Sequence, residues 1–276
     1  MTSREIADVR ARVISVSSER GEVYKALLYA PEIAGQAKPM QFVNVMVRDS
    51  GDPLLRRPFS ISAIDPGGGT IEITWAVVGR GTKIMSQWCP GQSVRILGPL
   101  GNGIDLAGFD SIHELILVAG GTGLAPLIPL ATAALEKKTG VKLFYGAKSA
   151  KDLLDTIGLR DKGCRVYLVT EDGSEGVKGL ATDLLNKHLD DVVRNGHSQN
   201  KVIAVACGPK PMLNHVKQTL RNGDIPLFVS LEERMACGYG LCKGCATRPS
   251  GPGQGYYHVC TDGPVFLADD VDLESE

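Results

Sequence analysis

Three cysteines, Cys237, Cys242 and Cys245, lie within nine residues in the spacing C-x4-C-x2-C, and Cys260 follows after fourteen more. No other feature constrains the fold so strongly, because the segment has to form a loop that gathers three thiols and a returning fourth. Four thiolates can hold an iron–sulfur cluster, and C-x4-C-x2-C…C is the plant-type spacing for [2Fe–2S]. The glycines inside it (Gly238, Gly240 and Gly244) suit a loop that aims backbone N–H groups at sulfur and needs φ > 0 at some positions. Structural zinc is the competing use, but its ligands usually come as two short knuckles far apart in the chain. Disulfides fit less well. Closely spaced cysteines read as metal ligands where no secretory signal precedes them, and Met1-Thr2-Ser3-Arg4-Glu5 does not begin one.

A chain of 276 residues has room for two or three domains. The net charge of −1 speaks against nucleic-acid binding by phosphate neutralisation. The longest apolar runs, such as residues 115–119, are far short of a membrane span, so a soluble cytoplasmic protein is expected. Of the remaining cysteines, Cys89 and Cys164 are expected to be buried free thiols. The five histidines are scattered and suggest no metal site.

Strand-like segments at 10–16, 23–29, 41–47, 59–64, 70–78 and 93–97 are punctuated by Pro, Gly and Asp. They predict an antiparallel barrel, with 82–88 its only helix. Near residue 110 the texture changes. The run 114–119 reads as a strand buried on both faces. Strands at 141–145, 164–169, 202–207 and 225–230 then alternate with helices at 124–137, 150–159, 180–193 and 210–222, which predicts a parallel α/β sheet. The cysteine loop follows. It carries a short flexible insertion at 249–255 and ends in a solvated acidic tail at 269–276. The expected division is therefore a β-barrel domain at 1–106, an α/β domain at 107–228 and a cluster-binding segment at 229–276.

Five motifs carry chemistry. Arg56-Arg57-Pro58-Phe59-Ser60 opens a barrel strand: arginine offers a fixed fork of donors for a pyrophosphate, and Phe59 and Ser60 point to opposite faces. Gly79-Arg80-Gly81-Thr82 ends another strand and opens a helix whose N-terminus favours an anion. Together they argue for a dinucleotide lying across the barrel. Gly120-Gly121-Thr122-Gly123 joins the first sheet strand to its helix, where a pyrophosphate meets helix N–H groups in parallel sheets. Cys207-Gly208-Pro209 ends a later strand beside it, where Cys207 can face a nicotinamide. Glu171-Asp172 closes a third strand. An acidic pair there accepts from ribose hydroxyls and repels a 2′-phosphate, which points to NAD. Taken singly, each motif is also compatible with an ordinary turn, a solvated charge pair or a buried thiol.

In this order the motifs resemble the ferredoxin–NADP reductase superfamily. The run Leu231-Glu232-Glu233-Arg234-Met235-Ala236-Cys237-Gly238-Tyr239-Gly240-Leu241-Cys242-Lys243-Gly244-Cys245 and the returning Val259-Cys260-Thr261-Asp262-Gly263-Pro264 are more closely similar to the electron-transfer subunits of NAD-dependent dihydroorotate dehydrogenases of the B type. The resemblance covers essentially the whole chain. It implies FAD contacted by Arg57, Pro58, Phe59 and Ser60, by Thr74, Trp75 and Ala76, and by Gly81 and Thr82; Ala76 stands where a larger, often basic residue is usual. It implies a [2Fe–2S] cluster on Cys237, Cys242, Cys245 and Cys260. It also implies an FMN-containing catalytic partner that oxidises dihydroorotate in pyrimidine biosynthesis, in a heterotetramer with two copies of each subunit. Relatives with a similar plan, the flavin and iron–sulfur subunits of ferredoxin:NAD(P) oxidoreductases, sulfide dehydrogenases and sulfhydrogenases, are the second expectation. A zinc-stabilised nucleotide-binding module without redox chemistry is a third.

Overall fold

The computed structural model describes residues 5–105, 112–194, 202–221, 225–251 and 255–274. Six strands, β1 (Ala7–Ser18), β2 (Val23–Tyr29), β3 (Phe42–Met46), β4 (Arg57–Asp65), β5 (Thr70–Ala76) and β6 (Ser93–Leu100), close into an antiparallel barrel in the order β1-β2-β5-β4-β3-β6. The period-two alternation of strands sorts their side chains. Ile71, Ile73 and Trp75 of β5 enter the barrel core with Leu28, Val43, Val45, Ile61 and Ile96. Glu72 and Thr74 therefore stand on the outer face.

The barrel carries two short helices rather than the single one expected. α1 (Pro31–Ala34) starts on a proline, which suits a first helical turn, and buries Ile33 and Ala34; four residues are too few to leave a periodic signal. α2 (Arg80–Met85) begins two residues before the expected start and ends at Met85. Cys89 also departs from expectation: it is exposed, because it sits in the tight turn beyond α2 where Gln92 caps its N–H at 3.2 Å. Cys164 is buried as expected.

The second layer is built on β7 (Glu114–Gly120), β8 (Gly140–Ala147), β9 (Arg165–Thr170), β10 (Val177–Lys178), β11 (Val202–Cys207) and β12 (Leu227–Ser230). After the small pair β13 (Ala246–Thr247) and β14 (Tyr257–His258), the strand β15 (Val265–Leu267) joins the same sheet, giving the order β10-β9-β8-β7-β11-β12-β15. All pairs in it are parallel except β12 with β15. Helices α3 (Leu127–Glu136) and α4 (Ile157–Asp161) belong to one face of the sheet, and α5 (Ala181–Arg194) and α6 (Lys210–Arg221) to the other. The chain reverses its winding between β7 and β11, so their carboxyl ends form the crevice in which ligands of open α/β sheets bind.

The first expected domain boundary, 106/107, lies outside the described residues. The second, 228/229, falls inside β12, and the cysteine segment is packed as part of the sheet layer: Cys245, Val259, Cys260, Phe266, Val271 and Leu273 share a core cluster with α5 and α6. The tail therefore differs from the solvated terminus expected. Val271 and Leu273 alternate with its acids and are buried at 0 % and 5 % exposure. In the 249–255 insertion, the described Ser250 is held by an N–H bond to Asp270 O at 3.0 Å.

Candidate functional site

A cavity of about 780 Å³ lies where barrel, sheet and cysteine segment meet. The barrel supplies Arg57, Pro58, Phe59 and Ser60 from β4, Thr74, Trp75 and Ala76 from β5, and Thr82 from α2; the sheet supplies Thr122 and Ala125; and Ser230 to Met235 close the remaining side. Eight of the nine residues expected at a flavin thus share one wall. Gly81, the ninth, lies against it: a Cβ there would sit 2.7 Å from Arg57 Nε, so the guanidinium rests on the helix N-terminus. Two sources of positive potential converge at that point, an arrangement suited to a pyrophosphate. Thr82 keeps the turn in shape. Its Oγ1 accepts from the N–H groups of Val78 and Gly79 at 3.0 and 3.1 Å, while Trp75 Nε1–H donates to Thr82 O at 3.2 Å.

Arg56 is a second cation on the wall. Its Nη2 donates to both carboxylate oxygens of Asp8, at 2.9 and 2.8 Å, whereas its Nη1 is buried with no partner among the described residues. A buried, unpaired guanidinium nitrogen costs free energy unless an acceptor completes it. The residues present therefore fit an anionic dinucleotide. On the opposite side Glu232 lines the cavity and is exposed, yet desolvation by the protein around it raises its carboxyl above the ordinary value. An occupant of the cavity would complete that burial.

At the crevice between β7 and β11 the glycines are required by packing. A Cβ on Gly123 would lie 2.4 Å from Cys207 O, and one on Gly208 would lie 3.1 Å from Gly120 N. The two turns touch backbone to backbone, leaving Thr122 to face the cavity. Tyr145 braces the loop, its hydroxyl donating to Gly121 O at 3.0 Å and accepting from Leu154 N–H at 2.7 Å. Burial raises this phenol far above its usual range, so it stays a donor. Cys207 is 1 % exposed and its thiol is pushed well up by burial, so it is a packed thiol beneath the crevice. Pro209 is exposed at the mouth of the turn. Glu171 and Asp172 are exposed at the end of β9, two strands from Gly120. Asp172 is partly committed, accepting from Ser174 N–H and Oγ–H at 2.9 and 2.6 Å, which lowers its pKa.

The four loop cysteines are gathered as two pairs. Cys245 and Cys260 sulfurs are 3.2 Å apart in the core, and Cys237 Sγ accepts from Cys242 N–H at 3.3 Å. No three Cys, His, Asp or Glu side chains converge on one point among the described residues. Paired thiols match two irons with two sulfur ligands each better than a single ion. The donor chemistry agrees. Backbone N–H groups of Cys237 and Gly244 draw the Cys242 thiol down to about 7, while burial and the adjacent Cys245 push Cys260 up to about 12. Two buried thiols side by side ionise only with a cation to compensate them. Gly238 and Gly240 take φ of 82° and 90° as the loop turns.

Sequence reasoning passed over Arg56 as a wall residue, the stretch Ser230 to Met235, and the polar residues behind the loops, Asn44 and Tyr145. Arg56 stands inside the arginine motif and Leu231 to Met235 inside the run that carries the resemblance, but neither was assigned to this wall. Asn44 and Tyr145 carry no motif and became visible only through packing.

Barrel, reversed parallel sheet and shared cavity define a flavin-dependent reductase of the ferredoxin–NADP reductase type. One solved structure, of an NADH-dependent reduced ferredoxin–NADP oxidoreductase described for flavin-based electron bifurcation, matches at a TM-score of 0.82 and 26 % identity, covering 96 % of this chain and 91 % of that one. A ferredoxin NADP+ reductase from Neisseria gonorrhoeae with bound FAD and NADP shares the fold at a TM-score of 0.64 and 15 % identity, over 82 % and 94 % of the two chains. Family models match residues 117–218, as an oxidoreductase NAD-binding domain, and 232–272, as the iron–sulfur cluster binding domain of dihydroorotate dehydrogenase B. The chain is 37 % identical to the dihydroorotate dehydrogenase B (NAD(+)) electron transfer subunit of Desulforamulus reducens over 93 % of its length and 95 % of the relative's. It is 33 % identical to that of Bacillus pumilus, over 99 % and 96 %. The chain belongs to the family of dihydroorotate dehydrogenase B (NAD(+)) electron transfer subunits.

Proposed function

We propose that this chain carries electrons from the FMN of a catalytic partner subunit, which oxidises dihydroorotate for pyrimidine biosynthesis, to NAD+. Arg56, Arg57 and the α2 N-terminus hold the pyrophosphate of FAD; Phe59, Ser60, Thr74 and Trp75 flank its ring; the four cysteines hold a [2Fe–2S] cluster. Bound in this cavity, FAD exchanges two electrons with a nicotinamide and one at a time with a cluster. The crevice beside Gly120 and Gly208 positions NAD, with Glu171 and Asp172 receiving its ribose.

One observation supports this reading above the others. Met235 is on the cavity wall and Cys237 follows it by two residues, so the first cluster ligand is tethered within about 7 Å of chain from the flavin cavity. The loop on the far side of that tether exposes Tyr239 and Leu241, at 46 % and 73 %, for contact with a donor. The working assembly is a heterotetramer with two copies of each subunit, placed in the cytoplasm; among the described residues no helix is long and apolar enough to cross a membrane.

The test is reconstitution. The isolated chain is expected to reduce dyes with NADH and to leave dihydroorotate untouched; adding the FMN subunit creates dihydroorotate:NAD+ activity, and mass measurement of the complex gives the stoichiometry. Dihydroorotate oxidation by the isolated chain would refute the division of labour. The likeness to a reduced ferredoxin–NADP oxidoreductase supports a second reading, in which ferredoxin is the donor; reduction by ferredoxin in place of the FMN subunit would favour it.

A further inference from the structure

A second cavity, about 480 Å³, opens between the outer face of β4–β5 and helices α3 and α4. Thr74 lies on the walls of both cavities. Behind it runs a chain of polar side chains: Thr74 Oγ1 is 3.0 Å from Ser62 Oγ, and Ser62 Oγ is 3.1 Å from Glu72 Oε1. Ser62 is 0 % exposed and Thr74 9 %. The β4–β5 register slips between Ile61 and Ala63, so Ser62 is the extra residue of a bulge. Bulges re-aim a side chain, and they recur beside active sites. Here the bulge puts a hydroxyl where it can bridge Thr74 to a carboxyl in the cleft.

The reaction needs such a connection. Electrons delivered through a cluster bring no proton, whereas the product of NAD+ + 2e− + H+ → NADH carries one hydrogen. One proton per turnover must therefore reach the flavin cavity from outside. We infer that Glu72, Ser62 and Thr74 form the path that conducts this proton from the cleft to the flavin cavity. The inference rests on the reading of electron delivery given above. The Glu72 O–H bond breaks as Ser62 Oγ gains a proton; Ser62 gives its own to Thr74 Oγ1; Thr74 gives its own to the acceptor in the cavity. Water in the open cleft then returns a proton to the Glu72 carboxylate. A hydroxyl both donates and accepts, so the chain conducts in either sense.

The groups facing Glu72 set its charge. Desolvation raises its pKa, opposed by Lys25 of β2 and by the Ser62 hydroxyl, with Glu19 adding to the rise. Lys25 is itself paired with Glu19. Glu136, Asp155 and Lys162 line the cleft from the sheet side. A carboxyl raised in this way holds a proton closer to neutral pH than an exposed one.

The holoprotein can be reduced in two ways while a pH-indicator dye reports proton uptake. NADH brings hydrogen with its electron pair and serves as the internal reference; dithionite brings electrons alone. Glu72→Gln and Ser62→Ala are expected to slow dithionite-driven flavin bleaching and proton uptake by about 100-fold, the lower end of what a positioned proton donor contributes. The NADH-driven rate holds. Thr74→Val, which removes the last hydroxyl of the path, is expected to slow the dithionite-driven rate to the same extent. Infrared spectra of the protein without flavin are expected to contain a carboxylic acid band that titrates above the ordinary range and is missing in Glu72→Gln. Equal slowing with both reductants, slowing with neither, or slowing by Glu232→Gln in place of Glu72→Gln would overturn the proposal. Iron content and cluster spectrum of the same samples report separately on the cysteine assignment.

Discussion

The side-chain amide of Asn44 donates to the backbone carbonyl of Cys237 at 3.1 Å and approaches that of Ala236 at 3.4 Å. Asn44 is fully buried on β3, directly across from Pro58 of the flavin-side motif on β4. One residue thus fastens the first of the four loop cysteines to the strand pair that forms the cavity wall. Asn44→Ala is expected to remove those bonds and cost about 1–3 kcal/mol. It should shorten the half-life of bound iron under chelation while FAD stays bound, measured by iron release and flavin absorbance.

The neighbouring glycine is equally constrained. A Cβ on Gly238 would lie 2.7 Å from Asn44 Nδ2, and its φ is 82°. Gly238→Ala is expected to lower the melting temperature of the loaded protein by several degrees, reflecting at least about 1 kcal/mol of backbone strain plus the displaced amide. Thermal unfolding followed by the cluster chromophore checks this.

Removing a single thiolate tests the ligand set. Anaerobically purified protein is expected to hold two irons and two acid-labile sulfides per chain, as a [2Fe–2S] cluster requires. Cys242→Ser should bleach the cluster spectrum and leave acid-released FAD unchanged. Full iron content in this variant would mean that Cys242 is no ligand.

Nicotinamide choice follows from β9. Glu171 has no side-chain partner among the described residues, and Asp172 is held by Ser174. With the ribose received there as proposed, both carboxylates oppose a 2′-phosphate, so kcat/KM for NADH is expected to exceed that for NADPH. Glu171→Gln should narrow the gap, chiefly through KM for NADPH, by steady-state dye reduction.

A half-buried ion cluster at the opposite end of the sheet gives a stability prediction. Glu114 Oε2 meets Lys142 Nζ at 2.5 Å, and Lys142 Nζ meets His188 Nε2 at 2.9 Å. Burial raises the Glu114 carboxyl, but bonds from His188 and Lys142 outweigh it and the net shift is downward. A depressed folded pKa contributes stability that is fully present above the unfolded value, about 4.3, and is lost as pH falls through the folded value. Glu114→Gln should cost about 1 kcal/mol at pH 7, a value discounted for solvent screening of a partly exposed pair, and progressively less toward pH 3. Urea unfolding at the two pH values measures the difference.

What could be read from sequence was whatever repeats locally. The barrel strands, the alternation after residue 110 and the cysteine spacing are all periodic or motif-bound, so their positions agree with the structure to within a few residues, except for the helix expected at 150–159, where a single 3-10 turn at Ala150–Asp152 precedes the short α4. Other features depend on contacts between distant segments. β15 returns to β12, Val271 and Leu273 are buried despite their acidic neighbours, and Ser230 to Met235 line a cavity whose barrel and α/β walls lie more than 100 residues earlier. Cys89 followed the general tendency of cysteines to be buried, and a local turn overrode it. Arg56 and Arg57 are adjacent and chemically alike; only packing separates the one tied to Asp8 from the one lying on Gly81.

The pairing of β15 with β12 has a consequence for how the protein is made. Until residues 265–267 have left the ribosome, β12 has one open side, the kind of unpaired apolar edge that invites aggregation. The strand that covers it lies beyond all four cysteines in the chain, so the thiols are synthesised before the sheet can be sealed. Closing that edge draws Cys260, five residues before β15, down onto Cys245. The sealing of the sheet edge and the meeting of the last two cysteines therefore both wait for the final stretch of the chain.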